Sequence, residues 1–119
     1  MAKVMIIDDS NTIRKTADAF LKNQHEVFLV PDGFIALTYV SEFKPDIIFV
    51  DVMMPNLSGY DFCQLIKNHD EFSHIPVIIL SSKDGVFDKI KGRVVGADQY
   101  LTKPFKKEQI LEVVDSYLQ

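Results

Sequence analysis

Five short apolar runs punctuate the chain: Lys3–Asp8, Glu26–Val30, Asp46–Asp51, Pro76–Leu80 and Asp98–Thr102. Each has the length of a buried strand and is rich in Val, Ile, Leu or Phe. Most are apolar continuously rather than at alternate positions. A strand reads that way when both its faces are covered, as in a parallel sheet between two layers of helices. Between the runs the spacing turns helical. Ile13, Ala17, Phe20 and Leu21 share one face at i, i+4, i+7 and i+8. Ala36, Leu37 and Val40 do the same after Gly33. Phe62, Leu65 and Ile66 follow a stretch in which Ser58 and Asp61 have capping-box spacing. Ile110, Leu111, Val114 and Leu118 close the chain. Val86, Ile90 and Val94 make a thinner stripe, with Gly92 inside it at a cost of about 1 kcal/mol relative to Ala. Strand and helix alternate five times. Right-handed crossovers then predict one parallel sheet with helices on both faces, over a single domain spanning residues 1–119.

Composition narrows the class. At 119 residues and 47% hydrophobic, the chain can bury a core without disulfides or metal staples. Thirteen basic and 17 acidic residues give a net charge of −4, which argues against nucleic-acid or anionic-membrane binding. The single cysteine, Cys63, excludes an internal disulfide and fits a reducing compartment. The first apolar run is too short for a signal peptide or a membrane span, so a cytoplasmic location is expected.

In a parallel sheet ligands gather at the carboxyl ends of the strands, so the residues that end the strands matter most. The first run ends in Asp8 and Asp9, the third in Asp51, the fourth in Ser81 and Ser82, and the fifth passes through Tyr100 to Lys103 and Pro104. Each has a bland reading. Asp9 or Ser10 could cap the first helix, Ser81 could be a cap, Lys103 a surface lysine and Pro104 a helix-start proline. Taken together, three carboxylates, a hydroxyl and an ammonium converge on one edge. Clustered carboxylates repel and raise one another's pKa unless a cation intervenes. Hard oxygen donors in a hydrated cleft suit Mg²⁺. A carboxylate beside such a cation is either a ligand only or a nucleophile that forms an acyl phosphate. No Gly-rich phosphate loop is present, so a phosphate donor has to come from a partner or a small phosphorylated molecule.

The stretches "IIDDS", "FVDVMMPNLSGYDF", "VIILSS" and "YLTKPF" resemble the successive motifs of the response-regulator receiver domain, the CheY-like module of two-component signalling, and the likeness runs the full length of the chain. The resemblance implies a flavodoxin-like (βα)5 three-layer sandwich with a five-stranded sheet of order 2-1-3-4-5. It implies Asp51 as phospho-acceptor, and Asp8, Asp9, Asp51 and the backbone carbonyl of Met53 as Mg²⁺ ligands. It further implies Ser81 as the hydroxyl that moves to the phosphoryl oxygen, Tyr100 as the aromatic switch, Lys103 as the neutralising lysine, and a cis bond before Pro104. A histidine kinase or phosphotransfer protein is the implied donor. Output is expected through protein contact at the face of the fourth helix, fifth strand and fifth helix, by a monomer with no output domain. Ser82 stands where many receivers have Ala, and Met53 and Lys83 flank the pocket. The run "SSKDGVFDKIKGRVVGADQYLTKPF" is most like stand-alone receivers of chemotaxis-like systems that control type IV pilus twitching motility, and similar runs occur in phototaxis receivers.

Two other classes compete. An Mg²⁺-dependent phosphatase with an aspartate nucleophile usually carries D-x-D on its first strand, whereas here Asp8 and Asp9 are adjacent. A flavin-binding module of the same fold sits poorly with an acidic site. His25, His69 and His74 lack metal-ligand spacing and are expected at the surface. Cys63 reads as a small residue at or near the core, and Phe20, Phe28, Phe49 and Phe62 as core. Phe105 is open between packing under the last helix and a partner face. Lys89, Lys91 and Arg93 read as a solvated face or a meeting point for an acidic partner.

Overall fold

A computed structural model describes residues 1–82 and 86–118, with backbone only for 86–88 and 92. The elements alternate as read from the pattern: β1 (Lys3–Ile7), α1 (Asn11–Leu21), β2 (Glu26–Val30), α2 (Gly33–Phe43), β3 (Ile47–Asp51), α3 (Gly59–Lys67), β4 (Val77–Ser81), α4 (Val86–Val94), β5 (Gln99–Thr102) and α5 (Lys107–Tyr117). All four strand pairings are parallel, in the order β2-β1-β3-β4-β5.

The continuous apolar runs now have their reason. Successive side chains of a strand point to opposite faces, and both faces are buried. Met5, Ile7, Ile48, Val50 and Ile79 join one core with Ala36 and Val40 of α2 and Phe62, Cys63 and Ile66 of α3. Val4, Ile6, Ile47, Phe49, Ile78 and Leu80 join the other with Ala17 and Leu21 of α1 and Ile110, Val113 and Val114 of α5. Each such side chain contributes about 1.5–3 kcal/mol by leaving water. Phe105 belongs to this second core, edge-on to Phe20 with centroids 6.2 Å apart.

Caps set the helix entries. Ser10, Asp32 and Ser58 start α1, α2 and α3, each accepting backbone N–H bonds from the first turn. At α5, the Gln109 side chain accepts the Lys106 N–H at 2.7 Å. The carboxyl end of α4 is tied down firmly. Lys67 pairs with Asp98 at 2.7 Å and also donates to the Ile75 carbonyl, while Asp98 accepts the Val77 N–H at 2.8 Å.

Four expectations from the pattern need correction. Leu65 is exposed, because its neighbour Cys63 takes the inward position on α3. Leu118 is exposed beyond the end of α5, and Val113 fills the core instead. On α4, Ile90 and Val94 face solvent. Among the described residues, Val95 and Ala97 just beyond the helix pack against the body, and the Lys91 ammonium on the helix lies 4.9 Å from the Tyr60 ring centroid. The Val86 side chain and Lys83 lie outside the described residues. Finally, His25 is buried rather than superficial. Its Nδ1 accepts the Ala2 N–H at 3.0 Å, and its Nε2 is buried with no hydrogen-bond partner among the described residues.

That geometry makes His25 acid-sensitive. Burial pushes its pKa below the ordinary value of 6.5; Asp115 opposes the shift and the N-terminus adds to it. The folded state therefore holds His25 neutral where the unfolded chain has begun to protonate it. Its contribution to stability is complete above 6.5 and is lost as pH falls through the lower folded value. His25→Gln is predicted to flatten the fall of the urea midpoint between about pH 7 and pH 5 relative to wild type. Parallel pH profiles for the two proteins would refute this.

Candidate phosphorylation and metal site

The strand order decides what meets at the carboxyl edge. From β1 the chain first goes outward to β2, then returns to place β3 on the other side of β1. A crevice opens where the order reverses. In the β1–β3 register Ile7 lies opposite Val50, so the next residues, Asp8 and Asp51, end neighbouring strands side by side. Both are buried, at 0% and 4% exposure. Asp9 follows at the surface. One oxygen from each of Asp8, Asp9 and Asp51 lies within 4.8 Å of the others.

Two buried carboxylates cannot sit together without positive charge. Lys103 supplies it, with Nζ 3.1 Å from Asp8 Oδ2 and 2.9 Å from Asp51 Oδ1. The backbone brings it there: the Lys103 N–H donates to the Ser81 carbonyl at 2.7 Å, and the Lys103–Pro104 bond is cis, as the resemblance implied. Pro104 thus stands three residues before α5 and does not start it. Asp8 is fixed by three further bonds. Its Oδ1 accepts the Ser10 N–H at 2.9 Å, its carbonyl accepts from the Arg14 guanidinium at 2.7 Å, and its N–H donates to Val30. Ser10, not Asp9, caps α1, which leaves the Asp9 carboxylate available to the cluster.

The electrostatics show a site short of positive charge. Burial pushes the Asp51 carboxyl above its ordinary value. The Lys103 hydrogen bond pulls it back, the Asp8 charge pushes it up again, and the Lys103 charge and the Met53 backbone bond lower it; the net shift is upward. Burial disfavours the Lys103 ammonium, but its bonds to Asp51 and Asp8 outweigh this and its pKa rises. Among the described residues one ammonium faces three carboxylates. A hard divalent cation fits both the all-oxygen donors and the deficit, with Asp8, Asp9 and Asp51 as the side chains that would hold it. The Met53 side chain points to solvent at 68% exposure, so only its backbone belongs to the site.

Ser81 ends β4, buried, one register step beyond the Asp51–Leu80 pair. Tyr100 lies on β5, half-buried against the α3-side core. Its hydroxyl is buried with no hydrogen-bond partner among the described residues. The sequence-derived residues therefore gather along the ends of β1, β3, β4 and β5, with Tyr100 one layer behind.

Two contributors had escaped notice. Arg14 braces the Asp8 carbonyl from α1. Gly59 opens α3 directly beneath Asp51: a Cβ there would run into the Asp51 carbonyl oxygen and stand 2.8 Å from its carbon. The turn between them bends through Asn56, whose φ of 72° is left-handed. Only a residue without a side chain lets α3 start this close to β3.

This arrangement defines a receiver: a parallel α/β sheet with an acidic notch and a lysine at its carboxyl edge. The chain belongs to the response regulator receiver domain family, which matches residues 4–115. It is 56% identical over 117 residues to Protein PilG of Pseudomonas aeruginosa, covering 98% of this chain and 87% of that protein. It is 36% identical over 119 residues to Protein PilH of the same organism, covering 99% and 98%. Among solved structures it resembles the chemotaxis protein CheY4 of Vibrio cholerae, with a TM-score of 0.92, 31% identity and 98% of both chains covered. Receivers bind Mg²⁺ in this acidic site, and this chain carries the aspartate cluster for it. Among the described residues no helix is long and apolar enough to cross a membrane.

Gly59→Ala is predicted to destabilise the fold by about 1–3 kcal/mol, since backbone rather than a yielding side chain opposes the new methyl group. It should also slow labelling of Asp51 by acetyl phosphate, because α3 can only accommodate the methyl by displacing the β3 end. Unaltered unfolding and labelling would show that the close approach is not required.

Proposed function

We propose that this chain is a phospho-accepting switch. It takes a phosphoryl group from a histidine kinase or phosphotransfer protein onto Asp51 and signals by protein contact. The observation that carries this reading is the Lys103 bridge between the buried carboxylates Asp8 and Asp51 beside Asp9. An Asp51 oxygen forms a bond to phosphorus as the donor's phosphorus–nitrogen bond breaks, and the donor ring, carrying a proton on its other nitrogen, takes the bonding pair and leaves as neutral imidazole. Lys103 holds Asp51 oriented and offsets charge on the transferred group. Bound Mg²⁺ supplies further neutralisation of the phosphoryl oxygens. Ser81 stands at the neighbouring strand end to meet one of those oxygens. The chain turns over no external substrate; it catalyses only its own phosphorylation and its hydrolysis.

The output face is formed by α4, β5 and α5. In support, Ile90 and Val94 are exposed on α4, and a cavity of about 270 Å³ opens between Lys89, Arg93 and Tyr100. Moving Tyr100 and Ser81 together toward a new phosphoryl oxygen would repack this face while the Lys67–Asp98 pair holds its far end. We propose further that the chain acts as a cytoplasmic monomer in a chemotaxis-like system controlling twitching motility through type IV pili. The likeness to PilG and PilH supports that assignment.

With acetyl phosphate and Mg²⁺, intact mass is expected to rise by one phosphate. EDTA should abolish the gain, and so should Asp51→Asn. Labelling that survives the Asn substitution, or none in the wild type, defeats the reading.

A further inference from the structure

We propose that Arg14 is a positioning residue for the metal site: by holding the Asp8–Asp9 peptide it aims the Asp9 carboxylate into the notch and so sets the affinity for Mg²⁺. The inference rests on the Mg²⁺-dependent, phospho-accepting reading above.

The three carboxylates of the notch are not held alike. Asp8 is buried, and its two oxygens are taken by the Ser10 N–H at 2.9 Å and by Lys103 Nζ at 3.1 Å. Asp51 is buried and bonded to Lys103 Nζ at 2.9 Å. Asp9 is exposed, and among the described residues no hydrogen bond or ion pair reaches its carboxylate. An Asp9 oxygen nevertheless lies within 4.8 Å of the other two ligand atoms. Its place in the cluster therefore depends on the backbone that carries it.

Arg14 holds that backbone. The Asp8 carbonyl and the Asp9 N–H belong to one planar peptide, so the direction of the carbonyl fixes where the Asp9 Cα stands. On its amino side Asp8 still follows the sheet, its N–H donating to the Val30 carbonyl at 3.1 Å. β2 ends at Val30, and the Asp8 carbonyl is taken by the Arg14 guanidinium at 2.7 Å instead. A charged donor at that distance makes one of the stronger kinds of hydrogen bond. Arg14 is itself anchored. Its backbone N–H donates to the Ser10 carbonyl at 3.1 Å, and the other guanidinium nitrogen lies 3.5 Å from Asn11 Oδ1. Ser10 caps α1 by accepting the Ile13 N–H at 3.3 Å, and Ala17 and Leu21 bury the helix in the core. The notch is thereby tied to a packed helix.

The atom that Arg14 binds matters. Lys103 occupies carboxylate oxygens, whereas Arg14 takes a carbonyl and leaves the carboxylate oxygens to a metal. A cation bonded to the Asp9 carboxylate would compete with Mg²⁺ for the same lone pairs. Groups that orient a metal's ligands from behind typically account for about 10–100-fold in affinity. The sign of the effect is diagnostic. As a bare charge beside the notch, Arg14 repels a divalent cation, and its removal would tighten binding. As a brace, its removal loosens binding.

Isothermal calorimetry of Mg²⁺ on the unphosphorylated chain separates the two. Arg14→Met is expected to raise the Mg²⁺ Kd about 10-fold or more. Lys15→Met removes the same charge one residue along, from an exposed position, and is expected to leave the Kd within about two-fold of wild type. Labelling of Asp51 by acetyl phosphate gives a second readout. The Mg²⁺ concentration for half-maximal rate should rise in Arg14→Met by the same factor, with the rate at saturating Mg²⁺ within about two-fold of wild type. An unchanged Kd, a tighter one, or a labelling loss that excess Mg²⁺ does not restore overturns the proposal. Should Arg14→Met fail to fold, Arg14→Lys carries the comparison. It keeps the charge but not the planar fork, so a smaller loss is expected, and an unchanged Kd overturns the proposal equally. A wild-type chain that binds no Mg²⁺ defeats the metal reading and this inference with it. One that binds Mg²⁺ but takes no phosphate defeats the phospho-accepting reading alone, and the Kd comparison still decides on Arg14.

Discussion

One ammonium group between two buried carboxylates constrains everything around it. Asp8 and Asp51 end neighbouring strands with almost no exposure, and Lys103 lies within about 3 Å of both. Burying like charges side by side is costly, and a single lysine offsets it only in part. The protein does not relieve the strain by exposing the pair or replacing it with apolar residues. It keeps a site whose all-oxygen donors and remaining negative charge suit a divalent cation. The raised pKa of Asp51 expresses the same imbalance from the carboxylate's side.

The sheet makes this imbalance possible. Two apolar layers hold all five strands rigidly, so their carboxyl ends cannot splay to relax the repulsion. The reversal of strand order at β1 and β3 puts two ends together, and Gly59 lets the following helix start tight against Asp51. At the far end of α4 the Lys67–Asp98 pair anchors the chain to α3 and β4, while Ile90 and Val94 remain in water. The centre of the molecule is thus packed on both faces, while Ile90 and Val94 on its α4 side face water. That contrast suits a device in which chemistry at the strand ends is read out on a neighbouring surface.

Much of this was legible in the chain. Uninterrupted apolar runs announced a sheet covered on both faces, and the residues at their ends announced the acidic site. Strand order was not contained in periodicity; it followed from the resemblance of "IIDDS", "FVDVMMPNLSGYDF" and "YLTKPF" to a family. What stayed hidden depends on contacts between distant positions. His25 sits in a polar turn and is buried where the distant Ala2 N–H meets its ring. Gly59 looks like an ordinary turn residue until α3 is placed against Asp51. Leu65 and Cys63 are both plausible inward residues, and only helix rotation against the sheet chooses between them. The exposure of Phe34, Ile35 and Tyr39 on α2 was missed for the opposite reason. Ala36, Leu37 and Val40 already gave a satisfactory core stripe, so Phe34, Ile35 and Tyr39 drew no attention.

The most direct test of the central claim is a crystal structure of the chain grown with Mg²⁺. The account predicts one ion at about 2.1 Å from carboxylate oxygens of the Asp8, Asp9 and Asp51 cluster, with Lys103 still bonded to Asp51. An ion that leaves Asp51 untouched, or three carboxylates spread too widely to share one, would contradict it.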